Sequence, residues 1–349
     1  MSTNITIPVG WTQNYEDHGK IQGILDLQRI NMIIGGIGIG INCVLLLILL
    51  TTRYFLKSGR LTIVLAIGDL ANCLYIFLQG YQRSFFYIVI LAEQINPLQT
   101  YWSCALYAFD WMGLLGSLIP HMSTLVMGIE RIIALKFPVL YKSHFNDGQR
   151  KLVVICIIYV VISMAVAFLL AYSNKDVPSK YWCGRKQSYT AYFASFIYGM
   201  NIIGYVTCFL LTFMVMLHVK LSSKISLDKK KSIKNTVQGL SEHDKKYNRI
   251  KLVVLISLIS SITISLPSFI SLASAFLGTL NSIIADPSDW VSVGKSSINL
   301  FVYLLMNQEF KQRVFGELFN IKRFYHGNVT SSKAVSTSTM KNFKRGTIG

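Results

Sequence analysis

Apolar residues in this chain gather into seven long runs: Ile30–Leu50, Leu61–Leu78, Trp102–Ile129, Leu152–Ala171, Tyr189–Leu217, Leu252–Leu277 and Trp290–Met306. Inside each run they are almost continuous, without the alternation of a half-exposed surface helix, and the charges collect between runs. Stretches of about 18 apolar residues or more are long enough to cross the hydrocarbon of a bilayer. No water reaches backbone amides there, so each segment must satisfy its own, as a helix does. The last run is the shortest, but its 17 residues still reach roughly 25 Å at 1.5 Å per residue, and snorkelling ends extend that. The pattern predicts an all-α membrane protein, with a seven-helix bundle over residues 30–306 behind a polar amino-terminal segment, 1–29.

After Met306 the pattern changes. Phe310, Val314, Phe315, Leu318 and Phe319 share one helical face, with Lys311 and Arg313 off it. A short amphipathic helix lying on the membrane surface is expected over 307–320. Residues 321–349, rich in Ser and Thr from Thr330 to Thr339, read as a disordered tail.

Composition agrees with the runs. The chain is 52% hydrophobic and 14% charged, against about 25% charged in an ordinary soluble domain. Its net charge of +18 would suit nucleic acid in a soluble protein, but the placement of the bases says otherwise. If the chain starts outside, the outer segments hold two, one, four and one Lys or Arg, whereas the inner segments hold three, five, ten and eight. That asymmetry orients the amino terminus outside the cell and the carboxyl terminus inside, in the plasma membrane. The basic face then meets acidic lipids of the bilayer, and no nucleic-acid partner is implied. The sequon Asn4-Ile5-Thr6 falls outside, where it is open to glycosylation.

Few side chains offer chemistry. The cysteines form no metal-ligand spacing, and neither metal nor cofactor is expected. His121 is the one intramembrane histidine and has no nucleophile or ligand set beside it, so no enzyme is predicted. Cys104 and Cys183 are the two outward-placed cysteines. They are either free thiols or a bridge in an oxidising compartment, and their exclusivity favours the bridge.

Charged groups inside the runs matter more, because hydrocarbon tolerates them only in a bundle interior or near water. Glu130 and Arg131 stand side by side at the inner end of the third run, followed by Pro138 and Tyr141. The second run reads Leu65-Ala66-Ile67-Gly68-Asp69, the first contains Asn42, and the seventh holds Asn299-Leu300-Phe301-Val302-Tyr303. Together these resemble the motifs of rhodopsin-like (class A) G-protein-coupled receptors, and most of all nematode serpentine chemoreceptors of the sx class. The resemblance implies a receptor for an extracellular small molecule or peptide that activates a heterotrimeric G protein. It also implies a Cys104–Cys183 bridge, with Glu130 holding Arg131 at rest and releasing it on activation. Pro138, Tyr141, Asn299 and Tyr303 would share in coupling.

The chain departs from the family in places. Leu300 replaces the usual proline, and Ile264-Ser265-Leu266 precedes Pro267 in place of Cys-Trp. There are 26 residues between Cys104 and Arg131 where the family has 24, an excess that a kink or bulge at Pro120 would absorb. Asp69 needs a partner near the middle of the bilayer. Pro120 and Lys295 occupy positions that line a sodium site in relatives, so either the Lys295 ammonium replaces sodium or it snorkels outward. A ligand site is expected between the outer halves of the third, fifth, sixth and seventh runs, where Asp110, Trp111, Tyr192, Phe193, Phe196, Phe269 and Trp290 are available. Asp110 needs either a cationic ligand group or an arginine such as Arg83 or Arg185.

Two other classes of function compete. A retinal-binding photoreceptor needs its lysine six residues before the seventh-run asparagine; Lys295 is four before Asn299, about 200° away around the helix. An ion channel or transporter predicts polar stripes or inverted repeats, and none recurs along the runs.

Overall fold

The structure is a computed structural model, and it describes residues 11–13, 18–51, 55–56, 59–93, 95–139, 141, 148–230, 254, 257–273 and 282–306. Its helices are α1 (His18–Thr51), α2 (Arg60–Glu93), α3 (Tyr101–Ala105), α4 (Ala108–Lys136), α5 (Gly148–Ser173), α6 (Arg185–Tyr189), α7 (Ala191–Lys230), α8 (Ser257–Ala273) and α9 (Ser282–Met306). Five of them, α1, α2, α4, α5 and α7, contain stretches long and apolar enough to cross a membrane; α8 is a shorter apolar helix. Residues 1–302 form one compact unit and 303–349 a second. The expected surface helix at 307–320, the tail and Asn4 lie outside the described residues, as does the side chain of Tyr303.

Helix ends differ from the apolar runs. α1 begins at His18 rather than Ile30, and α2 continues to Glu93, well past Leu78. A helix of 34 residues is roughly 50 Å long, more than the hydrocarbon needs when a helix stands upright.

The third run is two helices. α3 is capped by Thr100, whose hydroxyl accepts from the Ser103 amide while Ser103 Oγ accepts from the Thr100 amide. The chain then leaves helical geometry at Leu106–Tyr107 and re-enters as α4. The interruption is here, while Pro120 sits within a continuous α4.

Small residues set the spacing of the bundle. A Cβ on Gly116 would lie 2.6 Å from the Cα of Asn72, and one on Gly35 would lie 2.7 Å from the amide nitrogen of Phe77. Backbones of α1, α2 and α4 thus touch with no side chain between them, as in membrane bundles that pack through small residues. Opposite faces carry bulk to lipid: Ile155, Ile158 and Ile162 of α5 are exposed.

Two short ribbons lie at the end of the bundle where α1 begins. β1 (Trp11–Gln13) pairs antiparallel with β2 (Ile95–Pro97), and β3 (Gln99–Thr100) pairs with β4 (Pro178–Ser179). The apolar pattern predicts neither, because two- and three-residue strands leave no period to read.

Gly116→Val is expected to force α2 from α4 and cost about 1–3 kcal/mol. Gly40, whose added Cβ meets nothing within 4 Å, should accept alanine with no loss, or with a gain of about 0.5–1 kcal/mol. Thermal unfolding of the detergent-solubilised chain compares them; equal midpoints for the two variants would refute the close approach.

Candidate functional site

A polar stripe on α9 meets one on α2. Ser292, Lys295, Ser296 and Asn299 recur at helical spacing and so share a face. Asp69 and Asn72, one turn apart on α2, oppose them. Lys295 Nζ lies 3.1 Å from Asp69 Oδ1, and both side chains are buried, with relative exposures of 6% and 1%. The same oxygen accepts from Ser296 Oγ at 3.0 Å, and Asp69 Oδ2 accepts from Asn299 Nδ2. Lys295 also donates to the Tyr205 hydroxyl on α7 at 3.3 Å, while Asn72 donates to Ser292 Oγ at 2.9 Å. The ammonium therefore turns inward to Asp69 and does not snorkel to the surface. A carboxylate with three donors and an ammonium with two acceptors meet the conditions under which a buried pair is tolerated.

Asn42 stands apart from that group. It is fully buried, but it donates to the Gly38 carbonyl and to Cys73 Sγ. It thus ties α1 to α2 one turn above Asp69.

At the inner end, Glu130 and Arg131 do not pair with each other. Consecutive helical residues leave the axis about 100° apart, and here the two side chains turn to different partners. Glu130 Oε1 accepts from the Tyr141 hydroxyl at 2.9 Å and from Gln149 Nε2 at 3.2 Å, and Gln149 Oε1 accepts from the Arg60 amide at 3.0 Å. Arg131 Nη1 donates to Thr212 Oγ1 on α7 at 3.2 Å. The expected resting contact is replaced by two separate ones. Burial and then the adjacent Glu130 carboxylate push the Tyr141 phenol up to about 12, so it stays protonated and a donor at any physiological pH. Pro138 is exposed beside the end of α4.

The middle of α4 is joined to both neighbours. His121 Nδ1 lies 2.6 Å from the Ser117 carbonyl, which can only accept, so that nitrogen carries the proton and Nε2 accepts from the Tyr159 hydroxyl at 3.0 Å. Across the helix a Cβ on Gly204 of α7 would be 3.0 Å from the His121 carbonyl oxygen. His121 is a packing and hydrogen-bonding hub, not part of a metal set: among the described residues no three His, Cys, Asp or Glu are placed to hold a metal ion.

Just before α4 begins, Cys104 forms a disulfide with Cys183, with Cα atoms 5.4 Å apart. Arg83 of α2 donates to the carbonyls of Trp182 and Cys183, so the loop around Cys183 is held by a covalent bond and by hydrogen bonds. Asp110 is buried and accepts from Ser188 Oγ at 2.6 Å. Arg185 donates to the Gly113 carbonyl at 3.1 Å. Neither arginine ion-pairs with Asp110; the ion pairs among the described residues are Arg29–Asp26 and Lys295–Asp69. The Tyr189 phenol is pushed up first by burial and then by the Asp110 charge, with Arg185 pulling it back.

The aromatic residues expected beside Asp110 do not converge. Tyr192 is 88% exposed, and Phe196 and Phe269 are exposed as well. Tyr192 and Phe196 are four residues apart and share the lipid-facing side of α7. Phe193 turns the other way and packs edge-on to Tyr189, 6.2 Å between ring centres, in a buried cluster with Leu114, Leu118 and Ile197. Trp290 donates its indole N–H to Asn31 of α1, and Trp111 is half-buried on α4. Of the seven, Asp110 remains as a polar group in search of a use.

Gln149, Thr212, Tyr205 and Ser188 escape sequence reasoning. Ser292, Ser296 and Asn299 do leave a trace, as small polar residues every three or four positions in an apolar run.

The chain matches the family model described as "Serpentine type 7TM GPCR chemoreceptor Srsx" over residues 32–318. No curated protein matches it.

Removing one member of the buried pair, by Asp69→Asn or Lys295→Met, is expected to cost about 3–5 kcal/mol, since the other charge is left in hydrocarbon. The double variant should recover about 1–3 kcal/mol of the summed loss. Unfolding midpoints of the four purified proteins decide this; strict additivity would mean that the two groups do not interact.

Proposed function

Since the chain belongs to the Srsx family of serpentine 7TM G-protein-coupled receptor chemoreceptors, we propose that it is a chemosensory receptor of the plasma membrane. It crosses the bilayer seven times with its amino terminus outside, binds a small molecule or peptide there, and activates a heterotrimeric G protein inside. The observation that carries this reading is the inner end of α4, where a carboxylate and a guanidinium have alternative partners. Glu130 accepts from Tyr141 and Gln149, while Arg131 reaches Thr212. In the proposed mechanism Arg131 exchanges between Glu130 and the cleft that receives the G protein, and ligand binding shifts the populations of the two arrangements.

Asp69, Lys295 and Asn299 hold α2 and α9 in register during that exchange. An internal ammonium in the place where relatives take sodium makes signalling indifferent to sodium. Asn4 is proposed as a glycosylation site and residues 321–349 as a cytoplasmic tail.

Arg131→Ala, at equal surface expression, is expected to abolish G-protein activation. Glu130→Gln keeps an acceptor for Tyr141 and Gln149 but removes the charge that attracts Arg131, so basal activity should rise. A nucleotide-exchange assay with several G proteins reads both. Unchanged activity in Arg131→Ala would refute the mechanism.

A further inference from the structure

Beneath the outer loop two polar contacts run in parallel. Arg185 and Ser188, one turn apart on α6, dock against Gly113 and Asp110, one turn apart on α4. The arrangement leaves three enclosed atoms with no hydrogen-bond partner among the described residues: Asp110 Oδ1, Arg185 Nε and the Tyr189 hydroxyl. Asp110 and Tyr189 are 1% and 0% exposed, so bulk water does not serve them. A buried acceptor and a buried donor left unbonded are each costly until something bonds them.

Charge narrows the choice. The bonds of the Arg83 and Arg185 guanidiniums go to neutral carbonyl oxygens and not to the Asp110 carboxylate. A guanidinium is the side chain best shaped for a carboxylate. Asp110 Oδ1 asks for the opposite, an ammonium or hydroxyl donor.

We propose that Asp110, Arg185 and Tyr189 form a recognition site for a small organic acid that carries a hydrogen-bond donor on the carbon beside its carboxylate. The carboxylate goes to Arg185 Nε, the donor to Asp110 Oδ1, and the Tyr189 hydroxyl to whichever ligand oxygen lies nearer. Ser188 holds the second Asp110 oxygen and so fixes which one faces the guest. This deepens the receptor reading by naming the class of ligand, and it rests on that reading only for the consequence of binding.

The test uses the purified full chain in nanodiscs and four probes of similar size: lactate and alanine, which have both groups, propionate, which lacks the donor, and lactamide, which lacks the charge. Lactate and alanine should raise the unfolding midpoint and bind at least about tenfold more tightly than the other two, because unpaired buried groups penalise an incomplete ligand. Arg185→Gln should erase the preference for lactate over lactamide. Asp110→Asn, which keeps an acceptor for Ser188, should erase the preference for lactate over propionate. Equal binding of acid and amide, or no effect of any probe, overturns the proposal; a site filled by ordered water alone gives the second result. Arg131→Ala separates this inference from the function. It should bind the acids normally and fail to activate a G protein. Binding without Arg131-dependent signalling would sink the receptor mechanism, whereas signalling without acid binding would sink only the site.

Discussion

The bundle is organised by the need to neutralise Asp69 where no water can reach it. A lone carboxylate in hydrocarbon is expensive enough to be driven out or protonated. Here the neutralising charge belongs to the chain itself, in Lys295, with Ser296 and Asn299 completing the shell. The pair can form only when α2 and α9 stand at one relative height, and Tyr205 brings α7 to the same level. Apolar contacts are nearly indifferent to a shift of one helix along another. The ion pair is not, and it supplies the register that greasy surfaces lack.

α4 runs between that centre and the two ends of the molecule. Its outer turns carry Asp110 under the bridged loop, and its inner turns carry Glu130 and Arg131. The separation of 21 positions corresponds to roughly 30 Å. Close backbone contact with α2, and the His121 bonds to α5, leave the middle of this helix little freedom. In the proposed receptor a disturbance at Asp110 is therefore felt inside as movement of a rigid rod, not as a wave of local rearrangements.

The crossing helices were legible because lipid imposes one rule on every residue of a span. Asp69, Lys295, Glu130 and Arg131 stood out for the same reason, as violations of that rule. What could not be read is directional. Lys295 and an outward-snorkelling lysine share one sequence; only the facing of Ser292 and Ser296 decides between them. Tyr192 and Phe193 are adjacent aromatics, yet one meets lipid and the other packs in the core, because a 100° rotation separates them. Glu130 and Arg131 were linked through family resemblance, and the same rotation turns them toward different helices. The break at Leu106–Tyr107 was hidden because Leu and Tyr are as apolar as their neighbours.

The segment between the disulfide and α7 has a further property. Cys183 has φ of 40° and Thr190 has φ of 79°, values that suit glycine and that cost a side-chain-bearing residue about 1–3 kcal/mol each when surrounding structure enforces them. α6 lies between these two residues. Its shape is thus imposed by its anchors and is not the preference of its own eight-residue stretch, 183–190. A synthetic peptide copied from that stretch would relax out of it in solution, and antibodies raised against such a peptide would fail to recognise the folded protein.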